Sequence, residues 1–237
     1  MDYAKQLEDI RAAYDAGVDE NVETIVAIAM DSWSSVSAPR EVAPASLQML
    51  GEVFRRAAIA CVATGRPEAS TWRSRSLTFF TLGRSSNGIA MIVLTFALAA
   101  FKEGDYTAAL AQLELMELLR DEGDEVLKAD LVESASLENK AIVLIAQKDW
   151  ESAKAALTRV VEIETNNGDF RRRSKANASL TTVAYHTADR RLAREDLVRI
   201  IHECESHGGA GSVIAVGKEN LERMSRGEQD LLPYQVI

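Results

Sequence analysis

One spacing constrains this chain more than any other. An aspartate, an alanine four residues on and a leucine four further on occur as Asp105-Ala109-Leu113, Asp149-Ala153-Leu157 and Asp189-Ala193-Leu197. Four-residue steps place the alanine and leucine on one face of a helix. The leading carboxylate can accept from the free amides of the first turn, so each aspartate reads as an N-cap. The alanine admits a close neighbouring helix and the leucine fills the seam between them. Glycines punctuate the same stretch at Gly83, Gly123, Gly168 and Gly208, at intervals of 40, 45 and 40 residues. Each is expected just past a helix C-terminus, where glycine takes the left-handed conformation at no steric cost. Each interval therefore holds two helices, with about one extra turn expected in the first helix of the middle unit. A two-helix unit repeating near 40 residues is the pattern of an α-solenoid.

The frame extends in both directions. Residues 47–63 and 69–82 form an earlier, divergent pair joined at Gly65-Arg66-Pro67, with Ser70 and Ser74 where later units carry Ala and Leu. Pro67 suits a first helical turn. Tyr3, Leu7, Ile10 and Tyr14 share one helical face, and Asp19 is expected to cap a second helix reaching Trp33. The expected organisation is a helical hairpin at 1–33 and a Ser/Pro-rich linker at 34–44. Four units follow at 45–83, 84–123, 124–168 and 169–207, then a capping helix (212–224) and irregular tail within 208–237. The chain of 237 residues is 47% hydrophobic with only four prolines, which favours an all-helical core. A net charge of −9 argues against nucleic acid and against an anionic membrane surface as partners. Cys61 and Cys204 have no paired spacing and read as reduced, buried thiols. With a charged N-terminus and no apolar run near 20 residues, the expected location is cytoplasmic.

The segment GDYTAALAQLELM resembles the second helix of a tetratricopeptide (TPR) repeat, of the longer repeat class found in bacterial regulators and kinesin light chains. Gly104, Tyr106, Ala109 and Leu113 match its small, aromatic, alanine and large apolar positions. The next units supply Lys148, Trp150, Ala153 and Leu157, then Ala188, Arg190, Ala193 and Leu197, where the aromatic is absent. The stretch at 166–180 resembles the joint between repeats of that class. The resemblance covers about residues 45–206 and implies an all-α, right-handed solenoid of stacked antiparallel hairpins. It also implies a concave face lined by the first helix of each pair. In that register Arg55, Arg56, Thr95, Lys102, Asn139, Lys175, Ser179, Thr182 and His186 face inward as candidate peptide-binding residues.

Few residue patterns in the chain point to chemistry. His202 and His207 in HECESH stand five apart, about 140° around a helix, so they do not converge on one metal. GGAGSVIAVGKEN (208–220) has five residues between Gly211 and Gly217 and Glu219 after Lys218, which departs from a phosphate loop. The cationic run FRRRSK (170–175) reads as a solvated joint, or as a seat for an acidic peptide or phosphate. Trp33, Trp72 and Trp150 sit at helical core spacing. No catalytic, cofactor or metal set emerges, so the expectation is a non-enzyme. The first expectation is a protein- or peptide-binding module, with an acidic guest suggested by the basic inner residues, as the sensor or scaffold part of a bacterial regulatory system. The alternative is a structural protein that self-associates, as a homodimer, through its terminal helices.

Overall fold

A computed structural model describes residues 2–36, 39–123, 127–208 and 210–234. Among them lie eleven α-helices, one short 3-10 turn (Pro39–Glu41) and no strand. The helices are α1 Tyr3–Asp15, α2 Val18–Ser34, α3 Pro44–Ala63, α4 Ala69–Leu82, α5 Ser86–Lys102 and α6 Tyr106–Leu119. They continue as α7 Ala129–Ala146, α8 Trp150–Asn167, α9 Phe170–Thr187, α10 Arg190–His207 and α11 Gly211–Ser225. The chain divides into two units, 1–133 and 134–236, with the boundary in the second turn of α7.

The capping chemistry forms at all three repeated aspartates. Asp105 accepts from the Ala108 amide (2.9 Å), Asp149 from Ser152 (3.2 Å) and Asp189 from Arg191 (2.8 Å). Asp169 does the same for α9 through Arg172 N at 2.9 Å. The alanine and leucine of every motif are buried: Ala109, Ala153 and Ala193, with Leu113, Leu157 and Leu197. Gly168 and Gly208 close α8 and α10 with φ of 70° and 72°, as expected of left-handed caps.

Other boundaries differ from expectation. Gly83 follows α4 with φ −78°, an ordinary right-handed value, and the left-handed residue is Arg84 at φ 56°. Gly83 is needed for space: a Cβ there would lie 2.8 Å from Gln48 Cγ and 3.1 Å from the Pro44 carbonyl. Gly123 lies beyond the end of α6, which stops at Leu119, so it caps nothing. The surplus residues of the middle unit fall in the connection 120–128, not in a longer first helix: α5, α7 and α9 have 17, 18 and 18 residues. Helix α2 starts at Val18 after Gly17, which puts Asp19 inside its first turn. Pro67 belongs to the turn before α4, while Pro44 occupies the first turn of α3.

In unit 1, neighbouring helices pack in sequence order, and α1 and α5 also touch α3. Helix α3 is buried almost all round, as expected of a helix enclosed by its neighbours. Phe54, Trp72 and Phe79 form its aromatic centre, with Phe54 and Trp72 stacked at 5.8 Å. Trp33 meets Phe54 edge-on but remains 40% exposed, under the Arg75 guanidinium. Added Cβ atoms at Gly51 and Gly88 would fall 2.8 and 2.1 Å from the Phe80 ring, so two helix glycines hold α3 and α5 tightly against α4.

Unit 2 also packs in sequence order from α8 to α11, with α11 reaching back to α9. Ala141 and Leu144 of α7 share a core with Ala153, Leu157 and Val160 of α8 and with Ala176 and Val183 of α9. A second core joins Leu197, Ile201 and Cys204 of α10 to Val213 and Met224 of α11. Residues 228–234 are irregular but anchored: Asn220 bonds the Leu232 backbone in both senses (2.9 and 2.7 Å), and Tyr234 is buried in that core. Among the described residues no helix is long and apolar enough to cross a membrane.

Candidate functional site

The nine residues expected on an inner surface have different fates. Six are buried (Arg55, Thr95, Asn139, Lys175, Ser179 and Thr182), Arg56 and His186 are partly exposed, and Lys102 alone is exposed. Their burial follows from their helices. The first helix of each pair is enclosed by its neighbours, so a polar residue on it needs a partner inside the protein.

In unit 1 that partner is Glu52, itself 2% exposed. Arg55 donates Nε–H to Glu52 Oε2 (2.6 Å) and Nη2–H to Oε1 (2.7 Å), a bidentate pair one helical turn apart. Arg56 adds Nε–H to Oε1 at 3.1 Å and lies over the Tyr14 ring at 5.0 Å. Burial by itself raises the Glu52 carboxyl, but the two guanidinium groups outweigh it and hold the group at about 2. Thr95 returns its hydroxyl to the Ile92 carbonyl (2.7 Å). Lys102 caps the end of α3, donating to the Val62 and Ala63 carbonyls at 3.0 and 2.9 Å. Arg55, Arg56 and Lys102 are thus engaged in holding α3, while Thr95 bonds within α5.

In unit 2 the partner is Glu138 of α7. Lys175 Nζ of α9 lies 3.0 Å from Glu138 Oε1, both groups being buried. The pair is close enough to attract by charge but is out of line for a hydrogen bond, and neither Glu138 oxygen accepts one from a described residue. Burial pushes the Lys175 ammonium down to about 8, against the opposing pull of Glu138. Asn139 donates to the Ala135 carbonyl (2.8 Å), while its Oδ1 and the Thr182 hydroxyl find no partner among the described residues. Lys175, Ser179, Thr182 and His186 follow helical spacing, so α9 carries a polar stripe. His186 ends it, stacked on Trp150 at 4.4 Å and nearly parallel (9°).

The cationic run 170–175 is dispersed rather than gathered. Arg172 reaches Glu164 (3.4 Å), which also accepts from Ser134; Arg173 lies over Phe170; Lys175 turns inward. His207 stacks on Phe170 at 4.0 Å, and the glycine-rich stretch after it starts α11.

A different surface of α9 is open. A groove of about 380 Å³ runs along it between α8 and α10. Its floor is Asn177, Leu180, Thr181, Val183, Ala184 and Thr187 of α9, Ala188 just past its end, and Ile200 of α10. Lys154 and Thr158 form the α8 edge, and Asp196, Arg199 and Glu203 the α10 edge. Arg199 bridges its two acids at 2.9 and 3.4 Å. Lys154 has no ion-pair partner among the described residues. None of the nine expected residues lines this groove. The signal for it in the sequence was the opposite face of the same helix: the small residues Thr181, Ala184 and Ala188, spaced by three and four.

No family model matches this chain, and neither the curated proteins nor the solved structures provide a match.

Proposed function

We propose that this chain is a TPR-like interaction module that binds a segment of another protein, as the sensor or scaffold component of a regulatory system. The α8–α10 groove is the observation that carries this reading. It combines a floor of small and aliphatic residues, interspersed with Asn177, Thr181 and Thr187, with charged edges, so that apolar contact and polar orientation can both contribute to recognition. The succession of helix pairs with buried Ala/Leu seams supports the repeat architecture. The groove favours a guest of mixed charge over an acidic one, because Lys154 and Arg199 are balanced by Asp196 and Glu203.

The test is selection of binders to the full chain from a displayed peptide library, counter-selected against two groove-blocked variants. Ala184→Arg fills the floor; Thr158→Arg acts from an exposed edge and puts the fold at little risk. Peptides of roughly micromolar affinity are expected, weakened at least about tenfold by either variant, a loss of about 1.4 kcal/mol. Binders indifferent to both variants, or a pool with no binders, would count against the reading. Melting curves of both variants verify that they remain folded.

A further inference from the structure

We infer that the guest of the α8–α10 groove is an amphipathic helix lying along α9, with an acidic flank towards α8 and a basic flank towards α10. This deepens the proposed function and rests on it.

The lining excludes the other common modes of peptide capture. Strand addition needs a row of unpaired backbone N–H and C=O groups. The groove is walled and floored by three continuous helices, whose backbone groups bond within each helix. Capture of a proline-rich segment uses aromatic slots, and no Trp, Tyr or Phe lines this groove. What the lining does offer is a trough with Leu180, Ala184 and short threonine side chains at its base and charges at its edges, the complement of an amphipathic helix.

The dimensions fit. The floor residues of α9 run from Asn177 to Thr187, ten steps, with Ala188 just past the helix end. At 1.5 Å per residue this is about 15 Å, a little under three helical turns, which accommodates guest anchors at i, i+4 and i+7. Leu180 supplies apolar contact over the buried Val183 and Ile200, and Ala184 lets the guest backbone come close. Asn177, half-buried and without a hydrogen bond to a described residue, is free to meet one polar side chain.

The two edges differ in sign. Lys154 is an unpaired cation on α8. Asp196, Arg199 and Glu203 leave one net negative charge on α10, since the single guanidinium is shared by two carboxylates. A helix with one acidic and one basic flank satisfies both edges at once. Turning it end for end would exchange its flanks, so the same charges fix the direction in which the guest runs.

Three 18-residue designed helices test this against the full chain by fluorescence anisotropy at low salt. All carry Leu or Ala at the anchor positions; one has a Glu flank and a Lys flank, one two Glu flanks, one two Lys flanks. The mixed helix is expected to bind tightest, by about 2- to 10-fold, the range of one or two exposed charge pairs. Lys154→Glu makes both edges negative and is expected to move the preference to the double-Lys helix. A mixed helix interrupted by a central proline should lose most of its binding. The inference is overturned if the proline peptide binds as well as its parent, or if the ranking ignores flank charge and Lys154→Glu. Library binders that depend on the groove but lack helical periodicity would overturn it while leaving the proposed function standing; helices that bind regardless of Thr158→Arg and Ala184→Arg would remove the groove itself.

Discussion

Both units bury glutamate beside basic residues, and the surroundings of Glu52 in unit 1 and Glu138 in unit 2 are built differently. Glu52 in unit 1 accepts three hydrogen bonds from two arginines, at 2.6, 2.7 and 3.1 Å. Glu138 in unit 2 faces one lysine at 3.0 Å and accepts none from a described residue. The planar fork of arginine matches both carboxylate oxygens at once, whereas an ammonium is a point charge on a flexible stem. The first cluster ties neighbouring turns of one helix; the second ties two helices, α7 and α9. The lesson is that burial of charge alone says little. Hydrogen-bond completeness decides whether a buried pair stabilises the fold or merely compensates its own desolvation.

The comparison can be broken most directly at Glu52. Glu52→Gln leaves the buried Arg55 guanidinium without its countercharge and is expected to cost about 3–5 kcal/mol in urea unfolding. A loss below 1 kcal/mol would mean that Arg55 escapes to water. In unit 2, Lys175→Met strands Glu138 and is expected to cost about 3 kcal/mol, but the double variant Glu138→Leu/Lys175→Met should recover that loss or exceed the parent. A double variant as damaged as the single one would show that the Glu138–Lys175 pair contributes more than its charges.

A pH series separates the two clusters, because each makes stability rise with pH but over its own range, the Glu52 carboxyl below about 4.5 and the Lys175 ammonium above about 8. The Glu52 carboxyl is lowered in the folded chain, so its contribution is present above the ordinary value of 4.5 and is lost as pH falls towards about 2. The Lys175 ammonium is lowered from 10.5 to about 8, so between those values the unfolded chain holds more protons. Stability from this group therefore rises with pH across about 8–10.5, by about 2–3 kcal/mol. Urea midpoints at pH 7.5 and 10, compared with Lys175→Met, measure it; equal pH slopes for the two proteins would refute it. The smallest effect expected is at the caps: Asp149→Ala should cost about 1 kcal/mol, with Asp105→Ala similar, since each loses one amide acceptor at a first turn.

Much of the helical order was legible because its determinants are local. A cap needs only an aspartate and the amide three residues on, and Asp105, Asp149 and Asp189 each find it. Ala109, Ala153 and Ala193 lie at positions that helical geometry alone assigns to the packed face. Gly83 shows the limit. Its place in the repeat pointed to a left-handed cap, but its role is set by Gln48 and Pro44, 35 and 39 positions earlier, which leave no room for a Cβ. The candidate site was less legible still. Lys175, Ser179 and Thr182 share a face by helical arithmetic, and the same arithmetic holds whether that face meets water or a neighbouring helix. Glu138, 37 residues earlier, decided it.

By itself, then, the sequence determined where the aspartate-capped helices begin, which face of each is apolar and roughly how the pairs recur, since those depend on residues within one or two turns. Tertiary structure alone decided which polar residues are enclosed and which line open surface. That choice turns on how closely helices distant in the chain approach one another, and it put Lys175 inside the protein while leaving Asn177, two residues along the same helix, at the floor of a groove.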